Sequence, residues 1–490
     1  MASFLRLCTV FVLALGCQPP PPPQTPFPPV EELPLDAGSP GDVTWGVPDG
    51  GAALTVVGGS SASSRLRQGF LHGLSTNRIT ADTVRRVEEL KPGAWRMSSY
   101  YGAYDFVTQN TLPARFGTQV VFNLNDVFSG TYGYPVVVGP NCIPNNPRHC
   151  FASYDELRQS WSDFMESFML AVDAQNPAFD YYDLFAEPDW SWKGISAEQF
   201  FEIFKIAHDT IRRHRPEAKI VAPSLEKFNG PGLELFFQYA VDNDLRIDAV
   251  SWHEIYQTPA EVAGHVEAAR NLIQTIFQAK PSLAVKELHI NEYGPPQSHL
   301  VPGWTVGWLA AFEATGVDHA NRGCWKETGG WSDCANGLNG LLLEDDSTPQ
   351  PLFFVHRAYA NLPPDRLEIQ SHLPRLEALA GVDAAAGELR LLVGRYSCGR
   401  TGRWCMGADL PVGGEETEPV DVIIEVTQYP LGGALADIAV DRIPNLGTTG
   451  ALLAPTTLPR QQVNVTGSTL RFQIDQLRDG EVCSVIVRRN

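Results

Sequence analysis

At 490 residues the chain is too long for one small domain and long enough for a large barrel plus a second domain. Its 43% hydrophobic and 19% charged residues can bury a sizeable core. A net charge of −19 argues against nucleic acid or an anionic membrane surface as main partner, and it disfavours strongly anionic substrates unless a local basic pocket receives them.

Residues 1–17 read as an export leader: Arg6 precedes an apolar run, Leu7 to Leu15, too short to span a bilayer. The run ends Ala14-Leu15-Gly16-Cys17, which resembles a bacterial lipoprotein cleavage site with the leucine and the small residue exchanged. That resemblance implies lipidation at Cys17 and an outer-membrane or cell-surface lipoprotein, touching membrane only through its anchor; ordinary secretion is the alternative. Residues 18–45 are rich in proline with little apolar periodicity and read as a disordered tether. Residues 46–68 hold a short strand near Ala52 to Val57 that is expected to join the C-terminal domain.

Residues 69–363 carry apolar runs at βα spacing, as expected for strands covered on both faces. They are Gly69 to Leu74, Ala94 to Met97 with Arg96, Gln119 to Leu124, a run from Phe179, Ile220 to Pro223, Ile247 to Trp252, Val285 to Ile290 and Val317 to Ala320. Eight strands and a length near the typical 250 residues predict a (β/α)8 TIM barrel. Ser153-x-x-Glu156, Ser196-x-x-Gln199 and Thr258-Pro259-x-Glu261 open helices as capping boxes. Phe128 to Ala152 is an insertion after the third strand, where a barrel builds its site face. Beyond Pro363-Pro364, residues 364–490 shift to short alternating strands (Leu389 to Tyr396, Val420 to Thr427, Leu470 to Ile474, Val482 to Val487), predicting a small β-sandwich.

Of nine cysteines, Cys8 and Cys17 belong to the leader. Cys142 with Cys150, Cys324 with Cys334 and Cys398 with Cys405 are spaced to close short loops, and a zinc site lacks partners in register, so disulfides in an oxidising compartment are expected. Cys483 remains as a buried thiol.

Two of the barrel runs end in glutamate. The fourth closes on Ala186-Glu187-Pro188-Asp189 and the seventh on Asn291-Glu292-Tyr293-Gly294. An unpaired carboxylate is costly in mid-strand but useful at a tip facing a cleft. Pro188 supplies no ladder N–H and is expected to hold Glu187 extended. The gap between the glutamates takes three βα units of roughly 31 residues, which puts them at C-terminal strand ends, where barrel enzymes keep their chemistry.

FAEPDW, INEYG, WHEIY (Trp252 to Tyr256) and the trailing β domain together resemble glycoside hydrolase clan A, and are most similar to family 39, the β-xylosidase and α-iduronidase type. The resemblance implies a retaining glycosidase without cofactor or metal, acting on an oligo- or polysaccharide, with Glu187 as acid/base and Glu292 as nucleophile. It also places Arg96, His253 and Tyr256 around nucleophile and substrate. Salt-bridge filling for Arg96 and core packing for His253 are the plain alternatives, and Glu254 and Asp189 read as solvent or supporting carboxylates. Trp190, Trp192, Trp304, Trp325 and Trp331 fall in predicted site-face loops as sugar platforms, with core packing the alternative; Trp190 and Trp325 lead that group. One position departs from the clan: Ala186 stands where asparagine normally contacts the sugar 2-hydroxyl. A neighbour such as Asn125 or Asn291 is expected to reach that hydroxyl, Asn125 first; a sugar differently substituted at the 2-position and weak activity are the alternatives. The departure keeps a rival alive, a catalytically silent carbohydrate-binding surface protein on the same fold. Sugar, linkage and oligomeric state are not legible.

Overall fold

A computed structural model describes residues 26–28, 53–72, 74, 79–98, 113, 115–129, 136–139, 150–255, 257–295, 299–323, 337–396, 418–446 and 450–490. Strand β1 (Leu54–Ser63) comes first. The barrel strands are β2 (Arg67–Leu71), β3 (Ala94–Met97), β4 (Gln119–Asn123), β5 (Tyr181–Asp183), β6 (Lys219–Leu225), β7 (Ala249–Glu254), β8 (Glu287–Tyr293) and β9 (His319–Arg322). They close in sequence order, each parallel to its neighbours, β9 on β2 and β5 on β6. The TIM barrel is therefore present, and its fourth and seventh strands are β5 and β8.

The outer helices are α1 (Ala81–Leu90), α2 (Tyr154–Gln175), α3 (Ala197–His214), α4 (Gly230–Asp242), α5 (Pro259–Ile276), α6 (Pro302–Thr315) and α7 (Pro351–Ala360). Local chemistry sets their starts. Ser196 and Gln199 form a reciprocal box before α3, and the Glu261 carboxylate takes both the Thr258 N–H and hydroxyl before α5. At α2 the reciprocal arm slips by one residue: Ser153 Oγ accepts from Glu156 N–H, but Glu156 reaches the N–H of Ala152. Phe200, Ile203, Phe204, Ala207 and Ile211 bury one face of α3 against the strands.

The C-terminal domain comprises β10 (Asp365–Ser371), β11 (Leu376–Asp383), β12 (Glu388–Arg395), β13 (Val420–Thr427), β14 (Leu435–Ile443), β15 (Gln461–Thr466), β16 (Thr469–Leu477) and β17 (Val482–Arg489). Its ten-stranded sheet includes β1 and the short edge strand Thr456–Thr457, and its ladder returns on itself because β14 pairs with both β15 and β17. The expected sandwich is thus a mixed sandwich and barrel. Strand β1 lies between β10, antiparallel, and β13, parallel. Helix α6 packs on β11 and β12, with Trp304 against Tyr396 at 4.7 Å between ring centres.

Residues 26–28 of the proline-rich stretch are docked on the barrel. Phe27 is 3% exposed, edge-on to Phe200 (5.2 Å) and Phe201 (6.1 Å), and Asn229 Nδ2 donates to the Pro28 carbonyl at 2.9 Å. Gly232 makes the room: a Cβ there would stand 2.9 Å from the Phe27 ring. A single aromatic thus anchors a stretch whose composition reads as free: burial of the ring and the Asn229 hydrogen bond offset an ordering cost that two prolines, with φ already fixed, reduce.

Candidate active site

Three layers of side chains build the site from the barrel interior upward. At the base, Asp183 on β5 is buried and receives Arg96 Nε at 2.7 Å, Asn291 Nδ2 at 3.0 Å and the Ser224 hydroxyl. Ser224 continues to Ser251 at 2.6 Å. Strands β3, β5, β6, β7 and β8 are so tied together beneath the cleft. Burial pushes the Asp183 carboxyl up against the pull of Arg96.

Arg96 is the pivot of the middle layer. It is 1% exposed, and its Nη1 lies 2.8 Å from Glu292 Oε1 while Nη2 reaches the Phe185 carbonyl at 3.4 Å. Burial alone would lower its pKa, yet Asp183, Glu292 and Asp126 together raise it. Salt-bridge filling is therefore too small a description: the guanidinium joins the base of the site to the strand-seven glutamate.

Glu187 and Glu292 form the upper layer. Glu187 follows β5 in the left-handed region, φ 51 and ψ 51, and not extended as expected from Pro188. The reason is pinning on both sides: its N–H donates to the Ser224 carbonyl at 2.8 Å, and its own carbonyl takes the N–H groups of Trp190 and Ser191 in the turn of helix Pro188–Ser191. A non-glycine residue held there before proline is strained, and such strain gathers at working residues. The Glu187 side chain keeps 24% of its surface open to the cleft, and Glu292 16%.

His253, fully buried on β7, sits between them, with Nδ1 3.0 Å from Glu187 Oε1 and Nε2 3.9 Å from Glu292 Oε1. One oxygen of each glutamate and a ring nitrogen of His253 all lie within 4.8 Å of one another. Burial, with Asp126 assisting and Arg96 opposing, pushes Glu187 up to about 7. Glu292 is also raised by burial, but His253 and Arg96 pull against that shift. Burial lowers His253 to about 4, so the ring is neutral at neutral pH. A protonated acid and an ionised carboxylate can thus coexist across a short gap.

The other candidates fall in different places. Asn125 opens the short helix Asn125–Ser129, and its Oδ1 accepts from Trp192 Nε1 at 2.8 Å. Asn291 lies beneath the cleft, as above. Trp190 is half-buried at the rim, with Lys193 Nζ 5.1 Å above its ring. Trp192 and Trp304 are buried core residues, so the platform reading fails for both: their faces are packed against other rings. Glu254 is buried away from the cleft, accepting from Trp252 Nε1 at 2.6 Å and lying 2.8 Å from His265 Nδ1. Asp189 accepts the Glu226 N–H at 2.9 Å, and burial raises both carboxyls to about 7. Tyr256, Trp325, Trp331, Cys17, Cys142, Cys324, Cys334, Cys398 and Cys405 lie outside the described residues. Cys483 is a buried thiol that burial pushes up to about 11.

Asp183 and Ser224 were not singled out in the sequence. Asp183 had a signal, an acid set between Tyr181-Tyr182 and Leu184-Phe185 in an otherwise apolar stretch; Ser224 had none.

Among the described residues, two groups bring three metal-type ligands together. One is Glu187, His253 and Glu292, where Arg96 already neutralises Glu292 and Glu187 engages His253. The other is Glu287, His289 and His319 inside the barrel. Its two imidazoles stack at 4.0 Å and 6°, so their in-plane lone pairs lie in separate planes and do not meet at an ion about 2 Å from each.

No family model and no curated protein matches the chain. Solved structures do. N2152 from Neocallimastix frontalis is 19% identical with a TM-score of 0.71, over 90% of this chain and all of that one. The GH39 enzyme from Xanthomonas axonopodis pv. citri is 12% identical with a TM-score of 0.63, over 89% and 97%. A monomeric beta-xylosidase from Caulobacter crescentus CB15 is 13% identical with a TM-score of 0.63, over 89% and 99%. At such identities the likeness speaks to architecture: the chain has the barrel-plus-β-domain fold of the clan A glycoside hydrolases.

Proposed function

We propose that the chain is a retaining glycoside hydrolase that cleaves O-glycosidic bonds of an oligo- or polysaccharide by double displacement. The observation that carries this reading is the Glu187–Glu292 pair: carboxylate oxygens within 4.8 Å across His253, one carboxyl raised to about 7 and the other held by Arg96. A retaining site has its carboxyl groups about 5–5.5 Å apart, whereas an inverting site leaves roughly 6.5–9.5 Å for a water.

In this reading Glu292 attacks the anomeric carbon while Glu187 gives its proton to the leaving oxygen. A glycosyl ester forms on Glu292 and the glycosidic C–O bond breaks. Glu187, now ionised, takes a proton from water, which attacks the same carbon and releases Glu292. Arg96 disperses charge on the nucleophile in both halves. The structural neighbours named as a GH39 enzyme and a beta-xylosidase support the reaction class.

The test is a panel of aryl glycosides with the first-formed product anomer followed by NMR. Retained configuration supports the proposal, and inverted product overturns it. A protein that binds glycans but cleaves none of them would favour the binding-protein reading, to which Ala186 lends its one specific support. Export, with a lipid on Cys17, belongs to the same proposal; the mass of the mature N-terminus decides it.

A further inference from the structure

Behind the cleft, on the helix side of β7, a second cluster joins three elements. Alternation along the strand puts Trp252 and Glu254 on the face opposite His253. Glu254 ends β7 fully buried, and its Oε1 accepts from Trp252 Nε1 at 2.6 Å and lies 2.8 Å from His265 Nδ1 on α5. Phe228, in the stretch after β6, stacks on the His265 ring at 4.8 Å and 14° and meets Trp252 edge-on at 5.4 Å. Burial works to lower the His265 pKa, but Glu254 and then Glu261 outweigh it and raise it. The Glu254 backbone is engaged as well: its carbonyl accepts the Gly294 N–H at 3.3 Å, two residues past Glu292, and it bridges to Lys227.

The ladder alone does not fix this strand end. Strand β7 shifts register against β6 between Ser251 and Trp252, and against β8 between Trp252 and His253. The extra residues are Ser224 and Asn291, and both turn to Asp183 at the base of the site. A bulge leaves a residue unpaired and bends its strand. Beyond the two shifts, the direction of His253 is set by what holds its neighbours, and Trp252 and Glu254 are held through one carboxylate oxygen. A buried charge pair of this kind adds little net stability, since desolvation offsets the attraction.

We propose that Glu254 and His265 are positioning residues for the reaction: the pair locks the end of β7 from outside the barrel and so holds the His253 ring between Glu187 and Glu292. The proposal rests on the hydrolase reading above. The 3.0 Å contact of His253 Nδ1 with Glu187 Oε1 is the one that a loosened strand end gives up.

The experiment uses the full chain and an aryl glycoside that it cleaves, with kcat and KM taken per folded molecule and the thermal midpoint measured on the same samples. Glu254→Ala and His265→Ala should each lower kcat on the order of 10- to 100-fold with KM nearly unchanged, the pattern of lost reacting geometry rather than lost substrate contacts. Glu254→Gln keeps an acceptor for Trp252 and His265, and His265→Asn puts an amide N–H where Nδ1 stood, so each should recover most of that loss. The double alanine variant should lose no more than the worse single one, because the two residues act as a unit. If Glu254→Ala does not fold, His265→Ala decides, since the His265 side chain is 23% exposed. Wild-type kcat in His265→Ala with only the midpoint lowered means a structural role and overturns the proposal, as does a raised KM at unchanged kcat. Either result in a wild type that cleaves glycosides overturns this proposal alone, whereas a wild type that cleaves none overturns the hydrolase reading, and this proposal falls with it.

Discussion

Arg96 and Glu292 meet at 2.8 Å although they come from strands two and seven of the barrel, and the same guanidinium holds Asp183 at 2.7 Å on strand four. One cation thus serves a structural and a chemical carboxylate at once. Arg96→Ala leaves Asp183 buried without its counter-charge, which should cost about 3–5 kcal/mol of stability and abolish turnover. Arg96→Lys keeps one charge but not the forked donor set, so it should fold better than the alanine variant and remain inactive. Urea denaturation with activity on the same samples checks this. A full-strength alanine variant would mean that Arg96 supports neither partner.

The pH profile should be a bell with unequal causes. In the proposed mechanism Glu292 must be ionised, and its raised pKa places the acid limb above the ordinary glutamate value. Glu187 must be protonated, so kcat/KM should fall as pH rises through about 7. Glu187→Gln should remove the alkaline limb on aryl glycosides with good leaving groups, which need no proton, and should cost far more on alkyl glycosides. An alkaline limb that survives in Glu187→Gln belongs to another group.

Acid stability should depend on His319. Burial holds its pKa well below 6.5, and it stacks on His289 inside the barrel at 4.0 Å. Its unfolded form binds a proton near pH 6.5 and its folded form does not until much lower pH. Its share of stability is therefore whole above 6.5 and declines as pH falls below that value. Glu187, Asp189 and Glu226 act in the opposite sense between about 7 and 4.5, because their folded forms hold the proton longer. Comparing the pH dependence of unfolding for wild type and His319→Gln isolates the histidine. The variant should lose less stability from pH 6.5 to 5, whatever its absolute value; parallel curves would exclude His319.

How much of this was legible varied with how local the signal was. Strand Ala94–Met97 could be read to the residue because a bounded apolar run defines it. The strand-seven run was read as Val285 to Ile290 yet extends over Glu287–Tyr293, since pairing with β7 skips Asn291 at a register shift and resumes at Glu292 and Tyr293. In the C-terminal domain, β10, β11, β14 and β15 were missed. Leu376–Asp383 reads LEALAGVD, whose alanines, glycine and aspartate are poor strand formers, and it is held by its neighbours rather than by propensity. The glutamates could be found because each closes an apolar run in the sequence, although Glu187 lies four residues beyond β5 and Glu292 is the last residue but one of β8. The base of the site could not: Asp183, Ser224 and Asn291 are far apart in sequence, and only barrel closure brings them together.

The docked segment at Phe27 gives the last prediction. Its ring fills a slot between α3 and α4, and the Pro28 carbonyl takes a hydrogen bond from Asn229, the residue that caps α4. Phe→Ala in a core costs roughly 3–5 kcal/mol, but a peripheral segment can undock while the barrel stays folded. Phe27→Ala should therefore release residues 26–28 and lower the global unfolding midpoint only slightly. Gly232→Ala should do the same from the other side, since its Cβ would press on the ring. Hydrogen exchange at Phe27 and limited proteolysis in the proline-rich stretch read this out, with turnover of a small aryl glycoside as the control for an intact barrel. Wild type and both variants should cleave that substrate alike while only the variants are cut quickly near Phe27. Equal proteolysis in all three would mean that the ring does not hold the segment, and that the stretch before β1 behaves as the free tether its composition describes.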